Sequence, residues 1–144
     1  MSIEEGVGVD VMERRVRDSF AGQDFMTTIG ARLTSVTPGA VEIRLAVRPG
    51  LLQQHRFVHA GVVSAIADSA AGYAALSLLG EGRDVLTAEF KINLLAPAQG
   101  SELVARSRVL RSGKSLSVCT SDVFAVTEGK ETCVATLLGT IAHR

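Results

Sequence analysis

The chain has no tryptophan, one tyrosine and five phenylalanines, and no excess of charge of either sign, since 15 Lys and Arg stand against 15 Asp and Glu. A balanced surface sets up no field toward a polyanion, so nucleic acid and anionic membranes are poor partners for it. Cysteine is nearly absent too. Cys119 and Cys133 are the only two, both lie in apolar, strand-like segments, and neither has a CxxC spacing or a neighbouring histidine. That argues against a zinc site and for two buried, reduced thiols. The N-terminal segment MSIEEGVGVDVMERRVRDSF carries early acids and no apolar stretch of the signal-peptide kind, so a cytoplasmic location is expected.

What is present is a 144-residue chain, 47% hydrophobic and 21% charged, which fits one domain with a proper core. Its longest uncharged run, HAGVVSAIADSAAGYAALSLLG from His59 to Gly80, contains a single carboxylate, Asp68, and no other Lys, Arg, Asp or Glu. The run is long enough to raise the question of a membrane span. Ala, Ser and Gly dominate it and an Asp sits at its centre, so a buried central helix is the better reading. An ionised carboxylate buried without a partner costs several kcal/mol or takes up a proton, so Asp68 needs a chemical reason to be there.

Around that helix the pattern is mostly strands. Val9, Met12, Val16 and Phe20 recur at helical spacing and predict a short amphipathic helix near the N-terminus. A first strand is expected over about 31–36. Pro38-Gly39 makes a turn, and Val41, Ile43, Leu45 and Val47 then alternate with polar residues. Pro49-Gly50 stops that strand, and the loop LLQQHRFVHAG feeds the helix. Four more strands are expected over about 85–95, 102–111, 114–126 and 132–142, with hairpin turns at Ser112-Gly113 and Glu128-Gly129. In the first of these, Leu86, Ala88, Phe90, Ile92 and Leu94 are expected on one face and Thr87, Glu89, Lys91 and Asn93 on the other. The order of helix, two strands, one long helix and four strands predicts an α+β fold, an antiparallel sheet wrapped around one helix of small residues.

Two motifs carry a resemblance. The run His59-Ala60-Gly61 is followed by Asp68 nine residues beyond the histidine, and the strand TAEFKINLLAPA runs from Thr87 to Ala98. Together with the element order they make the chain similar to the hotdog-fold thioesterases, and within these to the PaaI-like acyl-CoA thioesterase group. The resemblance spans roughly residue 29 to the C-terminus and implies an N-terminal helical segment at 1–28 and a single hotdog domain at 29–144, with five to six strands around the central helix. Ala60 departs from the group, whose motif has glycine there.

The resemblance implies hydrolysis of an acyl-CoA thioester to a free acid and coenzyme A, with no metal and no other cofactor. A helix N-terminus offers unsatisfied N–H groups and the positive end of a dipole, so Ala60 and Gly61 are the expected oxyanion donors, with Ala60 the principal one. Asp68 is then a general base for water or a nucleophile. It lies about two turns further along, roughly 10 Å of rise, too far to share one carbonyl with its own helix start. The resemblance supplies a homodimer, and a dimer of dimers beyond it, in which the partner's helix start meets Asp68. It also places Gln53 near the water or carboxylate and Thr87 within hydrogen-bond reach of the carboxylate. His59 reads better as a brace for the loop than as a base, and His55 is placed with the substrate contacts. Arg111, Gly113 and Lys114 form a basic hairpin suited to coenzyme A phosphates, although such charges also occur simply as solvated ones. Two other readings stay open. One is an acyl-CoA-binding hotdog protein without catalysis, and the other is a hotdog hydratase or dehydratase.

Overall fold

The computed structural model describes residues 1–4 and 8–144; residues 5–7 of the expected N-terminal segment lie outside the described residues. The N-terminal segment forms two helices rather than one, α1 (Val9–Ala21) and α2 (Asp24–Ile29). Gly22 and Gln23 separate them, and Gly30 closes α2 in the left-handed conformation at φ 80°. Met12 and Val16 of α1 and Met26 of α2 are buried in the one hydrophobic core. Val9, expected on the same face, is exposed because it opens the first turn, and Phe20 is partly buried.

Strands β1 (Ala31–Thr37) and β2 (Ala40–Ala46) form a hairpin, a short 3-10 turn follows at Pro49–Leu51, and the long helix is α3 (Ala60–Leu76). Strands β3 (Val85–Leu94), β4 (Glu102–Ser112), β5 (Leu116–Thr127) and β6 (Lys130–His143) complete one sheet in the order β1-β2-β4-β5-β6-β3, with every pairing antiparallel. The β5–β6 hairpin turns on Glu128 and Gly129, both at positive φ (51° and 75°), which suits the right-handed twist of the flanking strands.

The sheet folds over α3. Ala67, Ala70, Ala71, Ala74 and Ala75 are fully buried, and their size lets the strands come close. Val41, Ile43 and Leu45 of β2 point into this core, as their alternation predicts. The helix end is closed from outside: the Arg15 guanidinium of α1 donates to the carbonyls of Leu76, Leu79 and Gly80 at 2.8, 2.6 and 2.7 Å. A cation there satisfies orphan carbonyls and meets the negative end of the helix dipole.

The expected faces of β3 require correction. Thr87 pairs with Ile141 and Glu89 with Thr140, so Ala88 is the extra residue of a bulge. An inserted residue reverses the alternation. Thr87 therefore shares the helix-facing side with Phe90, Ile92 and Leu94, while Leu86 falls on the outer face with Glu89, Lys91 and Asn93. β3 is also an edge strand and is poorly covered, with Leu86 57%, Phe90 40% and Leu94 56% exposed.

Both cysteines are free. Burial pushes the Cys119 thiol up to about 12, which leaves it unreactive at neutral pH.

Replacing Arg15 by Met keeps the aliphatic stem and removes three charge-assisted bonds to the end of α3. The expected loss is about 2–3 kcal/mol in unfolding free energy, measured by urea denaturation. A midpoint equal to that of the native chain would refute the capping role.

Candidate active site

Asp68 lies in the middle of α3 and is half-buried. Thr87 Oγ1 donates to its Oδ1 at 2.7 Å, the only bond the carboxylate makes among the described residues. Burial pushes the Asp68 pKa above its ordinary value, and the Thr87 hydrogen bond opposes part of that rise. The bulge at Ala88 is what makes this contact possible, because regular alternation from Glu89 would turn Thr87 away from the helix.

The start of α3 is built differently. His59 is the N-cap residue, and its Nδ1 accepts from the Gly61 N–H at 2.8 Å. The Val62 N–H bonds the His59 carbonyl at 2.9 Å. Gly61, expected as an oxyanion donor, is thus already engaged, and the donor left over is Ala60, whose N–H has no acceptor among the described residues. Gly61 has a steric reason to lack a side chain, since a Cβ there would lie 2.9 Å from His59 Nδ1. Ala60 has ordinary negative φ, so its methyl group causes no backbone strain at the position where the resembling group has glycine.

Gln53 folds its own loop. Its Oε1 accepts from the backbone N–H groups of His55 and Phe57, and its Nε2 hydrogens have no acceptor among the described residues. A cavity of about 530 Å³ is lined by Gln53, His59, Ala60, Val63, Leu94 and Pro97, among others. His55 is exposed and lines neither this cavity nor the next. A second cavity, of about 200 Å³, holds Asp68 and Thr87 together with Ser19, Gln23, Ser69, Tyr73 and Asp84. The two cavities share no lining residue. One takes the helix start and the Leu94 end of β3; the other takes the middle of the helix and the Val85–Thr87 end.

Within one chain, then, Gln53, His59 and Ala60 come together, as do Asp68 and Thr87, but the two groups stay apart. Arg111 and Lys114 are exposed on the β4–β5 hairpin, and the Gly113 N–H closes it onto Leu116 O at 2.8 Å. The Lys114 carbonyl lies 3.3 Å from His143 Nδ1, and His143 pairs with Val85, which sets the hairpin at the Asp68 end of β3. Sequence reasoning missed Ser19 and Gln23. The only local signal at Gln23 is the Gly22 helix break beside it, and nothing there points across to α3.

Among the described residues no His, Cys, Asp and Glu group could hold a metal ion, and no helix is long and apolar enough to cross a membrane.

Residues 55–132, more than half of the chain, match the family model of the thioesterase superfamily. A solved thioesterase family protein from Silicibacter pomeroyi is 45% identical, with a TM-score of 0.90 over 92% of this chain and 97% of that one. The Escherichia coli PaaI protein from the phenylacetic acid degradation operon shares the fold at 21% identity, with a TM-score of 0.82 over 92% of this chain and 93% of its own. A thioesterase from Haemophilus influenzae shares it at 18% identity, TM-score 0.81, over 100% and 95%.

Asparagine caps helix starts well and alanine does not, so the role of His59 can be read from two variants. His59→Ala should cost about 1 kcal/mol of stability, and His59→Asn should recover most of it. Equal stabilities in thermal unfolding would refute the cap.

Proposed function

The chain belongs to the thioesterase superfamily and is a hotdog-fold thioester hydrolase, and from that membership we propose that it hydrolyses acyl-CoA thioesters in sites that two protomers complete. The observation that carries the proposal is the separation of Asp68 and Thr87 from the Ala60 amide into two cavities at opposite ends of one uncovered edge strand. An apolar strand edge with unpaired N–H and C=O groups invites pairing with another chain. Antiparallel pairing of two β3 strands about a two-fold axis near their middle sets the Thr87 end of one against the Leu94 end of the other. Each Asp68 then meets the helix start of the partner, and the interface makes two equivalent sites. A dimer of dimers is compatible with this arrangement.

In this mechanism the thioester oxygen points at the Ala60 N–H, where the helix dipole favours developing negative charge. Asp68, desolvated and so more basic than an ordinary carboxylate, takes a proton from water as the oxygen attacks the carbonyl carbon. The tetrahedral adduct collapses, the C–S bond breaks, and the thiolate leaves as coenzyme A with the proton returned by Asp68. Direct attack by the Asp68 carboxylate gives a mixed anhydride that water then opens, with the same products. Thr87 orients the carboxylate, the Gln53 Nε2 group holds the water or carboxylate from the other protomer, and His59 braces the helix start. Side chains and a backbone amide carry every step. Arg111 and Lys114, on the hairpin closed by Gly113, take the phosphates of coenzyme A, and His55, exposed on the loop that leads into α3, serves as a substrate contact.

Release of free thiol from a panel of acyl-CoA esters tests the activity, and binding without release would leave only an acyl-CoA carrier. Asp68→Asn should abolish release in a folded protein. Ala60→Pro removes the donated N–H at the first helical position, where proline is tolerated, and should lower kcat by about 10²-fold or more. Near-native rates in either variant would sink the assignment.

The pH profile gives an independent check. Activity requires ionised Asp68 and so falls as pH drops through its raised pKa. Thr87→Val removes the bond that holds this pKa down, which moves the acid limb to higher pH; an unmoved limb would exclude Thr87 from the carboxylate's environment. For the hairpin, joint replacement of Arg111 and Lys114 by Ala should raise KM for acyl-CoA with kcat little changed. An unchanged KM would leave the two cations as solvated surface charges.

A further inference from the structure

The cavity at Asp68 continues into a polar corner that the hydrolytic chemistry does not use. Gln23, at the break between α1 and α2, bridges two residues one turn apart on α3. Its Oε1 accepts from Ser69 Oγ at 3.0 Å, and its Nε2 donates to the Tyr73 hydroxyl at 3.1 Å. Ser19 Oγ lies 3.3 Å from the same hydroxyl, and the Phe20 ring packs against Tyr73 edge-on at 5.8 Å. Tyr73 is 8% exposed, so this corner is held in place. Gly72 completes the wall, and a Cβ there would meet nothing within 4 Å.

Counting protons shows what the corner lacks. Ser69 spends its hydroxyl hydrogen on Gln23, and Gln23 spends one of its two Nε2 hydrogens on Tyr73. One hydrogen serves the Ser19–Tyr73 contact, so among the described residues a second hydroxyl hydrogen of that pair is left over, as is the second Nε2 hydrogen. The corner has spare donors and needs an acceptor. Two carboxylates, Asp68 and Asp84, line the same cavity and no Lys or Arg does, so an anionic acceptor would be repelled. The volume, about 200 Å³, is of the order that admits a benzene-sized group, about 150 Å³ in an engineered apolar cavity.

We propose that Gln23, with Tyr73 and Ser19, determines specificity by selecting short acyl groups that carry an uncharged oxygen, a hydroxyl or a keto group, over hydrocarbon chains of the same length. The proposal rests on the thioester-hydrolase reading of the site. Gln23 and Ser19 lie outside residues 55–132, so the family match does not assign them.

The experiment uses short straight-chain acyl-CoA esters in matched sets that end in methyl, hydroxymethyl or carboxylate. For the native protein the expected kcat/KM favours the hydroxymethyl member by about tenfold over the methyl member, with the carboxylate poorest. Gln23→Leu and, separately, Tyr73→Phe should bring the hydroxymethyl-to-methyl ratio close to one. A native ratio of one or less, a preference for the carboxylate, or a folded variant that keeps the native ratio would overturn the proposal. Calorimetric binding of the same sets to Asp68→Asn reads the preference without turnover. Discrimination there without any hydrolysis by the native protein would refute the hydrolase reading alone. Hydrolysis without discrimination would refute the specificity assignment alone.

Discussion

A half-buried carboxylate held by one hydrogen bond is the constraint around which the rest is arranged. Thr87 Oγ1 at 2.7 Å supports Asp68, and burial pushes its pKa up. A group in that state is costly to the fold and useful to chemistry. Keeping it requires a helix of small residues that the sheet can approach, a bulge that turns Thr87 inward, and an edge strand beyond which the site is still open. Each of these is present, and each has a separate origin in the chain.

The same constraint explains why α3 is fixed at both ends. At its start the His59 ring takes the Gly61 N–H, which fixes the first turn and leaves the Ala60 N–H without an acceptor among the described residues. At its far end Arg15 reaches three carbonyls from α1. Between the two, Gln23 ties α3 to the N-terminal helices through Ser69 and Tyr73. The N-terminal segment is therefore more than a cover, because it fixes the helix that carries the carboxylate and walls the cavity beside it.

Much of this was legible from residue order. The alternation of Val41, Ile43 and Leu45 marked β2, the Ala-rich run marked a buried helix, and Asp68 stood out as a charge with no local partner. The faces of β3 were not legible, because a bulge leaves no mark in an alternating sequence: only the pairing of Thr87 with Ile141 and of Glu89 with Thr140 reveals the extra Ala88. Gly61 was misread as a donor because histidine is an uncommon N-cap, and its ring nitrogen takes the amide that a bare helix start would offer. Gln23 and Arg15 act on residues far along the chain, so no local pattern could link them to α3. The separation of the two half-sites was legible in part, since the rise along one helix already keeps Asp68 from its own helix start.

The central claim is that each site draws Asp68 from one protomer and the Ala60 amide from the other. Mixing Asp68→Asn chains with Ala60→Pro chains, after dissociation and reassociation, tests it directly. If the claim holds, half of the dimers are mixed and each mixed dimer has one undamaged site, so two inactive preparations should together recover about a quarter of native thioesterase activity. If both groups act within one protomer, every site carries a defect, and a mixture no more active than its two components would contradict the account.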